Sequence, residues 1–225
     1  MIYFTLPNFF EYAEVNAFLI SLARSAPQVF KEPVTFIQTS GNFTYNYWAG
    51  SYCNMVGPGA YHKDFTTAAH RGVPAPLRLL CDNIALEEDD YVNVMNANIL
   101  EANNTGSGVI EVSNVQLMDY ISDKYPDRFK FVFSKQADLI TPFTPDLINQ
   151  IIDFDKFQFI GIPERLNGEY DFLKSIKNRS KLEITVNPRC PVNCRGYEKC
   201  HIDQHTQRIT LVTGIYIFHL EKMLR

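Results

Sequence analysis

The chain has 225 residues, 46% hydrophobic and 20% charged, which are ordinary values for a soluble globular protein with one full-sized core or two small ones. Its formal net charge of −4 leaves no basic excess to displace counterions, which argues against a protein whose main business is gripping phosphate backbones and leaves room only for a local basic patch. Apolar stretches fall far short of the roughly 20 residues of a membrane span, and the opening Met1-Ile-Tyr-Phe-Thr-Leu-Pro7 lacks the charged flank of a signal peptide, so a cytoplasmic protein with reduced thiols is expected.

Short β-branched or aromatic runs alternate with helical patterns along the chain, the signature of parallel βα units. Residues 2–6 predict a first strand. Pro7-Asn8 opens a helix that Pro27 closes, and 34–38 is a second strand. An aromatic, Gly-rich segment over 41–60 follows, and loops of that length inside a compact domain are usually functional. Helical character returns over 64–70. A third strand is expected over 77–81, and the acidic run 87–90 leads a helix through Leu100, negative charge being favourable at a helix N-terminus.

Residues 109–112 predict a fourth strand, with Ser113-Asn114 capping the next helix. A fifth strand over 129–133, a helix over 145–152, a sixth strand over 157–162, a helix over 168–176 and a seventh strand over 181–186 complete the regular part. An apolar run over 208–218 reads as an eighth strand or a last helix. No linker rich in Gly, Ser or Pro divides the chain, so the expectation is one α/β domain over 1–225, a (β/α) TIM-type barrel that could be small or incomplete. An open doubly wound sheet is the alternative.

In a parallel barrel the reactive face lies at the C-terminal ends of the strands. The residues expected there include Trp48, Asp82, Asn83, Ser113 and Asn114 from the first half, and Ser134, Lys135, Glu164, Arg165 and Asn187 from the second. Asp82 could be a general base or a helix cap. Glu164-Arg165 could hold an anionic substrate group, since guanidinium matches carboxylate or phosphate in a fork, or form a surface ion pair. Trp48 could stack on a planar cofactor or plug the barrel end, and Asn187 is the second candidate cofactor contact.

The most concentrated chemistry follows the seventh strand. Cys190-x3-Cys194-x5-Cys200-His201-x3-His205 places three of the five cysteines and two of the five histidines in one stretch. Thiolate and imidazole bind zinc, copper and iron–sulfur iron, and donors close in sequence converge at little loop-closure cost. Flanking Pro, Asn, Arg, Glu and Lys are unlike the apolar setting of core cysteines, and an odd cysteine count fits a disulfide framework poorly. A catalytic or redox thiol remains the other chemical use. No GxGxxG, Walker A, HExxH or GxSxG motif is present.

The order of units, the run Ser113-Asn-x-x-Leu-x-x-Tyr-Ile-x-x-Lys-Tyr-Pro126, and the strand Leu182-Glu-Ile-Thr-Val-Asn187 feeding Cys190-Pro-x-x-Cys194 resemble the collagenase-like peptidase family and its bacterial relatives. That resemblance implies a barrel carrying an iron–sulfur cluster, of the 4Fe-4S type, and hydroxylation-type chemistry of the kind performed on ubiquinone precursors or ribosomal RNA. It would make Cys190 and Cys194 cluster ligands; beyond these two the sequence departs from the family's four-cysteine pattern, Cys200 being the natural third donor and His201, His205, Cys81 or Cys53 each able to supply a fourth. No nucleophile or zinc-peptidase motif supports peptidase activity. The expectation is a metal or iron–sulfur barrel enzyme modifying a small or macromolecular substrate at the barrel mouth. The alternative is a non-catalytic protein in which zinc staples the loop for partner binding.

Overall fold

The computed structural model describes residues 2–10, 12–43, 46–50, 75–103 and 108–186. Within them the chain runs β1 (Ile2–Leu6), α1 (Ala13–Ser25), β2 (Val34–Gly41), β3 (Leu77–Cys81), α2 (Val94–Ala102), β4 (Gly108–Val112), α3 (Val115–Lys124), β5 (Phe129–Phe133), α4 (Pro145–Phe154), β6 (Phe157–Ile162), α5 (Tyr170–Ser175) and β7 (Leu182–Ile184). The helix expected over 64–70 and the apolar run 208–218 lie outside the described residues. None of the described helices is long and apolar enough to cross a membrane.

Helix starts follow local hydrogen-bonding chemistry. The Asn93 side chain accepts from the Met95 and Asn96 amides, and Asn114 does the same for Gln116 and Leu117. Thr144 accepts from Leu147, with Pro145 at the first helical position. These contacts satisfy amides that would otherwise be orphaned in a first turn. The acidic run at 87–90 does not begin a helix reaching Leu100, as expected from its charge. It closes on itself as a 3-10 turn, Glu88–Tyr91, whose capping box joins Glu87 and Asp90. Asn93 must then be extended to cap α2, and this breaks the two elements apart. The first helix starts at Ala13, beyond Pro7-Asn8, because Asn8 adopts the left-handed φ of 55° and turns the chain first.

All seven strands are parallel and lie in the order β1-β2-β3-β4-β5-β6-β7. A sheet that always steps in one direction through right-handed crossovers carries its helices on one face. Leu77, Leu79, Cys81, Ile110, Val112, Phe131, Phe133, Ile160 and Ile162 accordingly share one apolar core with Ile99 and Leu100 of α2, Leu117, Met118 and Ile121 of α3, and Ile148 and Ile152 of α4. The doubly wound alternative needs a reversal of strand order, and these strands show none.

The opposite face curls inward. Flat strands about 4.8 Å apart would place β3 and β7 about 19 Å apart. Arg78 of β3 nevertheless donates to Glu183 of β7 at 2.6 Å, and Gln38 of β2 donates to Gln158 of β6 at 3.4 Å. Only a strongly curved sheet brings these pairs together, and the described strands form a curled, barrel-like half.

Candidate functional site

Strand alternation fixes what faces the concave side. The registers Arg78↔Val109, Glu111↔Val132 and Gly161↔Glu183 place these side chains on the face opposite the helices, since in-register neighbours point the same way. The result is a polar interior beside an apolar core. Arg78 is only 3% exposed. It donates to Gln38 through Nε and Nη2 at 2.9 and 2.5 Å, to Glu111 through Nη1 at 3.2 Å, and to Glu183 and Thr5 through Nη2 at 2.6 and 3.4 Å. Burial works against its charge, but Glu111 and Glu183 more than offset that and hold the guanidinium above its ordinary value.

A second layer sits toward the C-terminal strand ends. The Ser134 hydroxyl, just past β5, donates to the other Glu111 oxygen at 2.7 Å. Burial raises the Glu111 carboxyl above the ordinary range, Arg78 opposes this, and the charges of Asp82 and Glu183 push it further up. Lys135 pairs with Glu164 and donates to the Thr185 hydroxyl at 3.0 Å. Gly161 makes room for this, because a Cβ there would lie 3.0 Å from the Lys135 amide nitrogen. Asp82, immediately after β3, is 4% exposed and accepts from the Gly50 amide at 3.0 Å. Burial raises its carboxyl, against the Gly50 and Asp82 amides and the Lys135 charge.

Four strand ends therefore deliver Asp82, Ser134-Lys135, Glu164 and Thr185 to one rim, over the Arg78–Glu111–Glu183 layer. A carboxyl held above its usual range can accept or release a proton nearer neutral pH. The Lys135 ammonium, fixed by Glu164 and Thr185, can stabilise negative charge that develops on a substrate.

Of the residues singled out in the sequence, Glu164 pairs with Lys135 in this cluster, and Asp82 stands at the same rim within the field of the Lys135 charge. Arg165 does not: it is exposed and pairs with Asp138, donating through Nε at 2.9 Å. Trp48 is 1% exposed and packs edge-on against Tyr120, its indole N–H donating to the Asp90 carbonyl at 3.0 Å. Its ring is core packing. Cys81 faces the helix side and is fully buried, with its thiol pushed far up by burial, so thiolate formation there is costly. Asn187, Cys190, Cys194, Cys200, His205, Cys53 and His201 lie outside the described residues. Among the described residues no three His, Cys, Asp or Glu side chains are grouped to hold a metal ion.

Arg78, Glu111, Gln38 and Glu183 are not among the candidates that the strand-end pattern of the sequence offers. Their signal was a charge set inside an apolar strand, as in Leu77-Arg-Leu-Leu-Cys81 and Val109-Ile-Glu-Val112. A buried charge must find a partner, and here the partners come from distant strands. In comparison with known proteins, the chain matches no family model, no curated protein and no solved structure.

Proposed function

We propose that this protein is a TIM-type (β/α)-barrel enzyme that modifies a polar substrate at the C-terminal strand ends, in redox or hydroxylation-type chemistry. The observation that carries this reading is the convergence of Asp82, Lys135, Glu164 and Thr185 from four strand ends onto one rim. Buried charges cost free energy, and a cluster of them where barrel enzymes act is best explained by use. Asp82 serves as the proton acceptor or donor. Lys135 holds the substrate's negative or developing negative charge, and Glu164 with Thr185 fixes its ammonium.

The loop bearing Cys190, Cys194, Cys200 and His205 would hold an iron–sulfur cluster, or zinc in its place. The chemistry of the donor set fits either group. Thr185, one residue beyond β7, reaches Lys135, so the chain leaves for this loop from the same rim. The centre, when bound, supplies electron transfer or Lewis acidity. Membership of the collagenase-like peptidase family and a cytoplasmic location with reduced thiols are part of this reading.

Metal analysis and a visible absorption spectrum on protein purified without oxygen test it, alongside Cys194→Ser. Iron and sulfide lost in the variant support the cluster. One zinc in colourless protein that unfolds on chelation, with Lys135→Met and Asp82→Asn leaving function intact, favours the stapled partner-binding loop instead. Neither iron nor zinc near one per chain sinks both.

A further inference from the structure

The 3-10 turn Glu88–Tyr91 lies against α3, and between them runs a groove of about 400 Å³ lined by Glu88, Tyr91, Val92, Gln116, Asp119 and Tyr120. It is joined to the rim of the barrel. The Asn114 side-chain amide, at the cap of α3, donates to the Tyr91 phenol oxygen at 3.1 Å. The neighbouring Ser113 hydroxyl donates to the Asp82 carbonyl at 2.9 Å.

The lining has three kinds of surface. The Tyr91 and Tyr120 rings lie 5.7 Å apart and tilted. Val92 is 80% exposed, an apolar side chain on the groove wall. Glu88 and Asp119 bring carboxylates from the turn and from α3, and Glu88 belongs to the consecutive acidic run Glu87-Glu-Asp-Asp90. Burial raises the Tyr91 hydroxyl against its bond from Asn114, and the charges of Glu88 and Asp90 add to the rise, a sign that the negative field reaches the floor. The chain's own Lys124 ammonium already lies 5.8 Å from the Tyr120 ring centroid, so the preference for a cation comes from Glu88 and Asp119 and not from that ring.

We propose that this rim groove docks a lysine- or arginine-bearing segment of a polypeptide substrate. The aliphatic stem of the basic residue lies along Val92 and Tyr91, and its charged head sits between Glu88 and Asp119. Long basic side chains pair an apolar stem with a cationic tip, which is the complement of this lining. The inference rests on placing the reaction at the rim and narrows its substrate to a basic polypeptide.

Fluorescence anisotropy of the full chain with a fluorescein-labelled peptide of alternating Arg, Leu and Gly tests this, with the same peptide carrying Glu for Arg as control. The Arg peptide should bind, weaken about tenfold or more between low and high salt, and lose a similar factor in Glu88→Lys/Asp119→Lys. Val92→Ser should weaken it several-fold, and urea unfolding midpoints should stay close to the parent because these side chains are exposed. Equal binding of the Glu peptide, or unchanged binding by the double variant, overturns the inference. So does displacement of the peptide by free spermidine at equal concentration, which would assign the groove to small polyamines. Peptide binding uses neither the cysteine loop nor turnover. Its failure in protein that retains iron or zinc overturns the groove alone, whereas binding by metal-free protein overturns only the proposed chemistry at the rim.

Discussion

Glu111 and Arg78 meet on the concave face at 3.2 Å, and the second Glu111 oxygen takes the Ser134 hydroxyl. Both partners are largely buried, so removing the guanidinium leaves Glu111 and Glu183 as uncompensated carboxylates. Arg78→Met should therefore cost about 3–5 kcal/mol at neutral pH. Glu111→Gln should cost less, about 1 kcal/mol, because an amide oxygen still accepts from Arg78 and the Glu183 carboxylate still faces the guanidinium. Urea unfolding of the two variants decides the order. An Arg78→Met protein within about 1 kcal/mol of the parent would show that the cluster is not stabilised by this pairing.

Asp82 predicts a pH dependence with a definite sign. Burial raises its carboxyl in the folded state, so the folded protein binds the proton more tightly than the unfolded chain does. The associated stability is fully present below the unfolded carboxylate value of about 3.9 and is lost as pH rises through the folded value. Parent protein should thus lose stability relative to Asp82→Asn as pH rises from about 4 toward neutrality. Unfolding free energies of both proteins across that range check this. A parent that gains on the variant with rising pH would mean that Gly50 and Lys135 outweigh burial and hold the carboxyl low.

Gly108 opens β4 under a tight ceiling. A Cβ at this position would lie 2.8 Å from the Asn103 carbonyl oxygen and 2.8 Å from the Phe129 ring. The carbonyl belongs to the backbone and cannot simply swing aside. Gly108→Ala should cost about 1–3 kcal/mol, which for a chain of this size is a fall in Tm of about 2–4 °C per kcal/mol. Gly168→Ala is the control, since nothing lies within 4 Å of its added carbon. Thermal unfolding of the pair separates the steric claim from a general loss of glycine.

Local patterning made the strands legible. The boundaries expected for β1, β3, β5 and β6 coincide with those observed, because each is an apolar or β-branched run with punctuation on both sides. Local sequence predicts that β2 ends at Gln38, but the strand continues to Gly41, since Ser40 and Gly41 pair with Arg78 and Leu79 of β3, a contact that local sequence does not carry. The rim was legible for the same reason as the strands: Asp82, Lys135 and Glu164 follow strand ends. The concave layer was not, because Arg78 and Glu183 are 105 positions apart and only the curl of the sheet joins them. Glu164 and Arg165, adjacent in sequence, diverge because they start a 3-10 turn, Glu164–Leu166, in which successive side chains point to different sides.

Lys135 is the residue on which the proposed chemistry turns. It is tied to Glu164 and Thr185, and its charge lowers the Asp82 carboxyl. In Lys135→Met the Asp82 carboxyl should therefore titrate higher than in the parent, which carboxyl-carbon NMR reads without any substrate. Glu164→Gln keeps the ammonium, so it should leave the Asp82 titration much closer to the parent. Once a substrate is in hand, loss of a cation that meets developing negative charge should lower kcat roughly 100- to 1000-fold with little change in KM, since the interaction is made mainly in the transition state. A rise in KM at unchanged kcat would assign Lys135 to ground-state binding. An unmoved Asp82 titration would separate the two groups and leave Asp82 to act without it.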